Sequence, residues 1–359
     1  MRIGIDISRL ATNQRTGTER YTAEVLAAIA AAPGAHTYVL YCRELPTALP
    51  DLPAQMELRV LPWGALWTHL RLAAELWRDP VDVLFVPSHV VPWNAPFLRR
   101  TRVVTTIHDL GFLVFPEAHT TFQNIYLRLT TRWAALVAHR IIAISHATAR
   151  DLRAYTGIDP ARIAIIPHGV APAFNPSHAA VQPYGRFLLT VGTLQPRKNL
   201  RRLIEAFLQM PDTHGTQLVI AGRVGWLDES LAAQVHASPA GKRIHFIGYV
   251  PDEQLYGLLA SARAFVFPSL YEGFGMPVLE AMASGTAVVC SNTSALPEVA
   301  GDAALLFDPA SVASITAALT QIDTDDALVT RCVAAGSARV AAYSWARCGA
   351  ATLQVLEQA

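Results

Sequence analysis

Short apolar runs alternate along the chain with longer segments in which apolar residues recur at helical spacing. Residues 187–191 and 264–267 are almost entirely apolar, which is typical of strands buried on both faces of a parallel sheet, and residues 1–7 and 102–107 are also strand-like. Between such runs, segments such as residues 21–29 place apolar side chains on one helical face. The alternation of the two patterns predicts an α/β protein.

The stretch of residues 264–289 shows this alternation clearly. An apolar run ends at Pro268, a turn with two glycines follows, and Pro277 opens a helix. A second apolar run begins soon after Gly285, so the stretch has the pattern of one strand–helix–strand unit. In sheets built from such units, ligands bind just beyond the carboxyl ends of the strands.

Two glutamates lie where such a ligand would bind. Glu272 belongs to the turn and Glu280 lies one helical turn inside the helix, so both carboxylates can face one ligand from different heights. The backbone amides of Gly273, Phe274 and Gly275 lie at a helix N-terminus and can bind a phosphate or a sugar hydroxyl. In the alternative interpretation, Glu272 is a solvated turn residue and Glu280 is a first-turn acid favoured by the helix dipole.

The block FPSLYEGFGMPVLEAMASG, residues 267–285, resembles the donor-site signature of the retaining glycosyltransferases of family 4. The resemblance extends over nearly the whole chain and is strongest from Phe187 to Glu298. It implies the α/β GT-B fold, in which two Rossmann-like domains have parallel sheets facing across a cleft and a C-terminal helix crosses back to the first domain. It also implies transfer of a sugar from a nucleotide-sugar to a hydroxyl, with retention of the anomeric configuration.

The length agrees with this organisation. At 359 residues the chain is too long for one ordinary domain and suits two of roughly 150–200 residues. We expect a Rossmann-like acceptor-binding domain at 1–172, a linker at 173–185 and a Rossmann-like nucleotide-sugar donor domain at 186–342. Residues 343–359 should form the helix that packs back on the N-terminal domain.

The composition excludes several classes of protein. With 52% apolar and 16% charged residues, the chain is not intrinsically disordered. No run of about eighteen apolar residues occurs, and a strand-like run stands where a leader would, so we expect a cytoplasmic protein. The 4 cysteines are scattered without metal-binding spacing, and a net charge of +1 gives no reason to expect a nucleic-acid partner.

The first half of the chain is mildly basic and rich in tryptophan. Residues 1–180 hold 17 basic against 13 acidic residues, and Trp63, Trp67, Trp77 and Trp93 accompany a segment with helical spacing of apolar residues. Tryptophan and arginine beside an apolar face suit peripheral contact with the inner face of the cytoplasmic membrane. The alternative, which the sequence favours, places these residues in the core and in a groove.

In the first domain the resemblance implies three site positions. Gly17 lies in the loop before the first helix, which in the family reaches toward the donor diphosphate, although a simple turn is the alternative. No Gly-x-Gly-x-x-Gly run surrounds it, so a nicotinamide cofactor is not expected. His108 ends the strand at 102–107 and matches a cleft histidine near the donor sugar. Asp109 either orients the imidazole of His108 or contacts the acceptor.

In the second domain, a strand ends at Gly192 and Thr193, and Arg197 and Lys198 follow in a short loop before a helix. This arrangement predicts a clamp for the donor diphosphate, whereas an arbitrary Arg-Lys pair would be a surface charge pair. Relatives often carry an additional arginine at the position of Thr193. A larger share of the diphosphate charge is therefore expected to fall to Arg197.

The remaining donor contacts follow from the resemblance. Backbone groups near Tyr249 and Val250 would bind the nucleobase, Glu280 the ribose hydroxyls and Glu272 the sugar ring. The Asp-x-Asp triplet at 323–325 is expected in a polar loop away from the strand ends, so we expect a metal-independent reaction without a cofactor. The cations would stabilise the leaving diphosphate. The expected catalytic residues are His108, Arg197, Lys198 and Glu272.

The segments IDISRL, TGTERYT and VGTLQPRKNL resemble the bacterial O-antigen mannosyltransferases within the family. We therefore expect GDP-mannose as the donor and a growing glycan, free or carried on a lipid, as the acceptor, with UDP-sugars as alternative donors. A nucleotide-sugar epimerase of the same fold would need acid–base groups that the sequence does not supply. A nucleotide-sugar-binding regulator without turnover is the other rival, but the donor-site residues show no degeneration.

Overall fold

Two parallel β-sheets contain the strands of the described residues, and each sheet belongs to a separate unit of the chain. The first unit comprises Met1–Gly169 and Ser344–Ala359, and the second comprises Val170–Tyr343. The computed structural model describes the chain except residues 12–16, 47–48, 179–183, 193–194, 223–234 and 236–237. The first unit is therefore discontinuous in sequence, because its last helix comes from the C-terminal end.

Within the described residues, the first sheet has seven strands in the order β3-β2-β1-β4-β5-β6-β7. The strands are β1 Arg2–Asp6, β2 Thr37–Cys42, β3 Met56–Val60, β4 Val83–Val86, β5 Arg102–Ile107, β6 Arg140–Ala143 and β7 Ile163–Ile165. The central pair β1 and β4 aligns Ile3 with Val83 and Ile5 with Phe85, all of them buried. The all-apolar sequence of β4 fits its central place, because helices cover both faces of such a sheet.

Side chains cap two helices of the first unit. Thr120 and Gln123 form a capping box at the start of α4, and Ser145 caps α5. The helices are α1 Gly17–Ala31, α2 Ala73–Arg78, α3 Gly111–Val114, α4 Thr121–Val137 and α5 His146–Thr156. A π-helical turn covers Thr68–Leu72, and 3₁₀ turns cover Ser8–Ala11, Ala95–Phe97, Pro116–Ala118 and Pro160–Arg162.

The second sheet repeats the strand order of the first, with six strands in the described residues, β10-β9-β8-β11-β12-β13. The strands are β8 Phe187–Val191, β9 Gln217–Ala221, β10 Ile244–Gly248, β11 Ala264–Phe267, β12 Val288–Ser291 and β13 Ala304–Phe307. The helices are α6 Leu200–Gln209, α7 Asp252–Ser261, α8 Met276–Ala283, α9 Leu296–Ala300, α10 Val312–Thr324 and α11 Asp326–Val340. The 3₁₀ turns are Pro196–Lys198 and Pro239–Arg243.

The last helix, α12 (Trp345–Glu357), packs against α1 in the first unit. Ser344 caps it by accepting a hydrogen bond from the amide of Arg347. The two helices approach so closely at Gly349 that a Cβ there would lie 2.5 Å from the Cβ of Ala28. Glycine at this position therefore sets the distance between the helices.

The Asp-x-Asp triplet is not in a polar loop, so that prediction was wrong. Asp323 belongs to the buried face of α10 and is 0% exposed. Its carboxylate accepts from Arg186 Nε at 3.0 Å and from Thr216 Oγ1 at 2.8 Å. Asp325 caps α11 through the amide of Leu328. The local sequence is polar because Asp323 forms an ion pair with Arg186 and Asp325 caps the start of α11.

The tryptophans of the first half are mostly at the surface. Trp67 is buried and its Nε1 donates to the carbonyl oxygen of Leu61 at 2.7 Å. Trp63, Trp77 and Trp93 are exposed, Trp77 to 66%. The core part of the favoured interpretation therefore holds for Trp67, whereas Trp63, Trp77 and Trp93 are not core residues. The helical spacing of apolar residues in this segment predicted a buried face, but Leu66, Leu70 and Trp77 are exposed.

Candidate active site

Each sheet has a topological switch point, where chain connections leave two neighbouring strands in opposite directions. It lies between β1 and β4 in the first unit and between β8 and β11 in the second. Ligands of doubly wound sheets bind outside the carboxyl ends of the strands at such a point. The residues that follow β8 and β11 are therefore the first to consider in the second unit.

Three charged side chains meet at this point in the second unit. Lys198 Nζ lies 2.6 Å from Glu272 Oε1, and Arg197 Nη1 lies 3.1 Å from Glu272 Oε2. The cations follow β8 and the carboxylate follows β11, so the pairing of these two strands brings them together. The sequence predicted all three as site residues, but it did not predict that they contact one another.

Asn199 holds the loop that carries the cations. Its backbone is in the left-handed region, with φ of 57°, which asparagine adopts more readily than most residues. Its buried amide Nδ2 donates to the carbonyl oxygens of Pro268 and Pro309, at 3.1 and 2.8 Å. The sequence analysis missed this positioning role, although an asparagine at the end of a short turn before a helix was the available signal.

The electrostatics of Glu272 depend on its two partners. Burial alone would raise the pKa of this carboxyl, but the charges of Lys198 and Arg197 outweigh burial and lower it. Lys198 also lies over the ring of Phe267, at 4.7 Å from the ring centroid. The Glu272 carboxylate is therefore ionised at neutral pH, and two basic side chains flank it.

A glycine lets the chain segments that follow β8 and β9 lie close together. Gly222 follows β9 with φ of 153°, and a Cβ there would lie 1.8 Å from the Gly192 carbonyl oxygen. Only glycine allows the chain after β9 to pass this close to the end of β8. Ser294 fixes the other side, because its Oγ accepts from the amide of Glu272 at 2.9 Å. The sequence analysis missed the roles of Gly222 and Ser294.

The other predicted donor-site residues follow the same edge of the second sheet. Gly273, Phe274 and Gly275 connect Glu272 to α8, where Gly275 is the N-cap and Phe274 is buried against Tyr343. Glu280 is a buried residue of α8. The edge also carries the exposed Tyr249 and the partly buried Val250 directly after β10, whereas Thr193 lies outside the described residues.

The predicted residues of the first unit lie at its own strand ends. His108 follows β5, its Nε2 donates to the Pro87 carbonyl oxygen at 2.9 Å, and burial lowers its pKa, so the imidazole is neutral. Asp109 Oδ1 accepts from the amide of Gly111 at 2.8 Å, so one oxygen of this carboxylate is engaged by the next helix. Gly17 is the first residue of α1, directly after residues that the structure does not describe.

Comparison with known proteins agrees with this architecture. Residues 15–174 match the family described as Glycosyltransferase Family 4, and residues 178–339 match the one described as Glycosyl transferases group 1. The structure of sucrose-phosphate synthase from Thermosynechococcus elongatus superposes with a TM-score of 0.80 at 20% identity, covering 99% of this chain and 98% of that one. The predicted fold, GT-B with two Rossmann-like domains, is confirmed.

Two curated relatives share more sequence. O-antigen chain mannosyltransferase B of Escherichia coli is 35% identical over 300 residues, which cover 79% of this chain and 77% of that protein. Serotype-specific mannosyltransferase WbdA of Escherichia coli is 30% identical over 278 residues, 73% of this chain but 33% of that longer protein. The prediction of a glycosyltransferase is confirmed. The chain belongs to glycosyltransferase family 4 and is an enzyme of the kind represented by the bacterial O-antigen mannosyltransferases.

Proposed function

We propose that the enzyme transfers mannose from GDP-mannose to a hydroxyl of a growing glycan, with retention and without a metal ion. The observation that carries the proposal is the cluster of Arg197, Lys198 and Glu272 at the switch point of the second sheet. Two cations held beside one carboxylate leave net positive charge where a nucleoside diphosphate must depart. The kinship with mannosyltransferases supports mannose as the transferred sugar.

The cations are suited to stabilise the leaving group. Charge builds on the diphosphate as the glycosidic bond breaks, and donors fixed in advance stabilise that charge without reorganisation. Lys198 is held by its ion pair and by the Phe267 ring, and Arg197 by its bond to the Tyr271 carbonyl oxygen at 3.3 Å. We assign these two residues to the diphosphate, in the role that a metal ion has in other transferases.

Metal independence follows from the same assignment. The carboxylates of an Asp-x-Asp motif bind a metal only when both reach the substrate site, whereas Asp323 is enclosed by Arg186 and Thr216 inside the second unit. The charge that a metal would neutralise is matched by Arg197 and Lys198. Full activity in excess EDTA is the expected result, and a loss that Mg²⁺ or Mn²⁺ restores would contradict this part of the proposal.

We assign the remaining donor groups along the edge of the second sheet. Tyr249 and Val250 would meet the nucleobase through their backbone, and Glu280 would accept from the ribose hydroxyls. The segment Gly273–Gly275 would bind sugar or phosphate oxygens through its amides. Gly192 borders Lys198, because a Cβ at this glycine would lie 3.5 Å from the Lys198 side chain. In the first unit, we assign Gly17 and His108 to the donor and Asp109 to the acceptor.

Retention is best explained by a front-face reaction, in which the departing phosphate assists deprotonation of the acceptor hydroxyl. A double displacement needs a carboxylate that is free to attack the anomeric carbon. Glu272 is instead engaged by two cations through both oxygens. Proton NMR of the initial product should show the anomeric configuration of the donor. A covalent glycosyl-enzyme trapped on Glu272 would contradict the front-face reaction.

The donor is tested directly by binding and turnover. Purified protein is titrated with GDP, UDP, GDP-mannose and UDP-glucose in EDTA, and thermal midpoints and product formation are recorded. A ligand at about 100 times its dissociation constant stabilises the folded state by roughly 3 kcal/mol. Stabilisation by GDP and turnover of GDP-mannose are expected. Stabilisation by UDP alone would indicate a UDP-sugar as the donor instead of GDP-mannose. Sugar isomerisation without an acceptor would indicate an epimerase.

Peripheral contact with a membrane is the second part of the proposal. None of the helices that the structure describes has the length and hydropathy needed to cross a bilayer. The first unit nevertheless exposes apolar side chains on one face of α4: Phe122, Ile125, Leu129 and Leu136. Phe122 is 78% exposed, and Arg128 and Arg132 lie on the same helix. Such a face with neighbouring arginines suits an anionic bilayer surface.

The exposed tryptophan segment borders α4. His69 of the π-helical turn contacts Tyr126 of α4 at 3.2 Å between Nε2 and the hydroxyl, and its ring stacks on Trp93 at 4.3 Å. Leu70 and Trp77 are exposed on the same segment. We therefore propose one continuous membrane-facing surface, formed by α4 and the segment from residue 63 to residue 78.

Vesicle co-sedimentation tests this surface. Wild-type protein should bind vesicles of phosphatidylethanolamine with phosphatidylglycerol and bind poorly without the anionic lipid. A Phe122→Ser and Leu129→Ser double variant should lose most of this binding. Leu306→Ser, which changes an exposed leucine of β13 in the second unit, is the matched control and should bind normally. Equal binding of all three proteins would contradict the proposal.

A further inference from the structure

An aromatic cluster in the first unit connects the returning helix α12 to His108. Trp345, the first residue of α12, stacks on His168 with 5.6 Å between the ring centroids and 29° between the planes. Tyr21 of α1 lies 4.9 Å from the ring of His168 and packs edge-to-face with His108, at 4.8 Å. These residues all belong to the first unit. The cluster therefore runs without a break from α12 to the histidine that follows β5.

The rings of this aromatic cluster are enclosed by the protein. Trp345 is 8% exposed, His168 is 3% exposed and Tyr21 is 0% exposed. Stacked and edge-to-face rings at these distances attract one another in addition to the effect of burial. Because protein interiors are closely packed, an enclosed ring turns only when its neighbours also move. The orientation of each ring therefore depends on the others.

Tyr21 joins the aromatic cluster to the strand that carries His108. Its hydroxyl lies 3.1 Å from Oγ1 of Thr106, a residue of β5 that comes two positions before His108. Burial raises the pKa of Tyr21, so the phenol is uncharged. Its ring stands nearly perpendicular to that of His108, at 81°. Tyr21 therefore fixes the imidazole relative to the end of the strand.

The tautomer of His108 depends on the orientation of its ring. Its Nε2 donates to the carbonyl oxygen of Pro87 at 2.9 Å. Burial lowers the pKa of this histidine, so the neutral ring carries one proton and Nδ1 is the acceptor nitrogen. A ring that turned away from Pro87 would lose the hydrogen bond that selects this tautomer. Neighbours that prevent rotation therefore also preserve the tautomer.

The backbone brings Trp345 close to His168. Gly169 follows His168, and a Cβ at Gly169 would lie 2.2 Å from the amide nitrogen of Trp345. Any other residue at this position would push the two chain segments apart. Gly169 ends the first segment of the unit, and Ser344 begins the segment that returns to it. The close approach of these two segments therefore places the Trp345 ring on His168.

We infer that Tyr21, His168 and Trp345 are positioning residues, which hold the imidazole of His108 in one orientation and one tautomer during transfer. The inference rests on the proposed function, because that function assigns His108 to the donor. It goes further by giving α12 a part in the reaction, through Trp345, in addition to its packing on α1. The three residues act through His108 and not on the substrate.

Initial rates with GDP-mannose test the consequence for the reaction. In Trp345→Ala, kcat should fall roughly 10- to 100-fold because a misplaced group loses the reactive geometry, with little change in the KM for GDP-mannose. Trp345→Phe keeps a ring beside His168 and should restore most of the lost kcat. Leu356→Ala is the matched control, because it removes a buried side chain from the other end of α12. Equal kcat in Trp345→Ala and Leu356→Ala would overturn the inference.

NMR of isotope-labelled histidine side chains tests the positioning itself and needs no turnover. The His108→Asn variant identifies the signal of His108 by its absence. Wild type and Leu356→Ala should show one neutral tautomer with the proton on Nε2, whereas Trp345→Ala should show a mixture of states. Trp345→Leu keeps an apolar side chain without a ring and replaces Trp345→Ala if that variant does not fold. A single unchanged tautomer in the folded variant would overturn the inference.

The two measurements separate this inference from the proposed function. If GDP-mannose is turned over but Trp345→Ala leaves kcat or the tautomer of His108 unchanged, the inference fails and the proposed function stands. If GDP-mannose is not turned over, the proposed function fails. Loss of the single tautomer in Trp345→Ala but not in Leu356→Ala would then still support the positioning of His108 by the aromatic cluster.

Discussion

The two units share one strand order but carry opposite chemistry at their switch points. Each has a carboxylate near the end of a central strand: Asp6 at the end of β1 and Glu272 beyond β11. Burial raises the pKa of Asp6, whereas Lys198 and Arg197 lower that of Glu272 in spite of burial. The two units therefore share a topology, whereas the residues around each switch point give the two carboxylates different electrostatic surroundings.

The two switch points also differ in their charged groups. In the second unit, Arg197 and Lys198 flank Glu272, which is the basis of the proposed diphosphate binding. In the first unit, Asp6 and Glu19 line a cavity together with Arg9 and Arg43, among the residues that the structure describes. Each of the following experiments changes one unit and leaves the other as an internal reference.

Removing a cation of the second unit should have the largest effect. We expect Lys198→Ala to lower kcat/KM for GDP-mannose by at least about 100-fold, the usual loss when a preorganised charge-stabilising group is removed. Initial rates at several donor concentrations provide the measurement. Lys242→Ala changes the other lysine of the chain, which is exposed, and should behave like the wild type. Activity of Lys198→Ala near that of Lys242→Ala would show that the cluster does not stabilise the leaving group.

The interior ion pair of the second unit should dominate stability. Arg186→Ala leaves the carboxylate of Asp323 buried with only part of its hydrogen bonding, so we expect the free energy of unfolding to fall by about 3 kcal/mol. Urea denaturation measures this loss. Arg331→Ala, an exposed change in α11, should alter the free energy of unfolding by less than about 0.5 kcal/mol. Equal stability of the two variants would contradict the assigned role of Asp323.

The helix pair of the first unit should give a smaller and local effect. Gly349→Ala places a Cβ against Ala28, and overpacking of this kind costs about 1–3 kcal/mol. Hydrogen exchange should increase in α1 and α12 and remain unchanged in the second unit. Gly64→Ala, where a Cβ would meet nothing within 4 Å, is the control and should leave exchange unchanged. Faster exchange in both units would show that the stabilising effect of α12 is not limited to the first unit.

The two carboxylates should respond to pH in opposite directions. The contribution of Asp6 to the free energy of unfolding is measured as the wild-type value minus that of Asp6→Asn. Because the pKa of Asp6 is raised in the folded state, this contribution should fall as the pH rises from the ordinary pKa of 3.8 through the folded pKa. Glu272 has a lowered pKa, so the difference from Glu272→Gln should be complete above 4.5 and disappear as pH falls through the folded pKa. Denaturation curves between pH 3 and pH 7 measure both differences, and slopes of the same sign would contradict the comparison.

Much of the fold was predictable because local patterns carry it. Apolar runs in the sequence marked the strands β1, β5, β8, β11 and β12. The position of Lys198 and Glu272 in loops between a strand and a helix also identified both as candidate site residues. The π-helical turn at Thr68–Leu72 and the exposed face of α4 were not predictable in this way, because periodicity shows which face is apolar and does not show what covers it.

The sequence by itself determined the α/β class, the two-domain organisation and the family, because apolar periodicity and a long motif are properties of neighbouring residues. The tertiary structure alone decided that Lys198 contacts Glu272, that Asp323 is buried, and that His69 shares a cavity with Asp6 and Glu19. These contacts join residues far apart along the chain. They depend on which strands lie side by side, and strand order is set by the packing of the whole sheet.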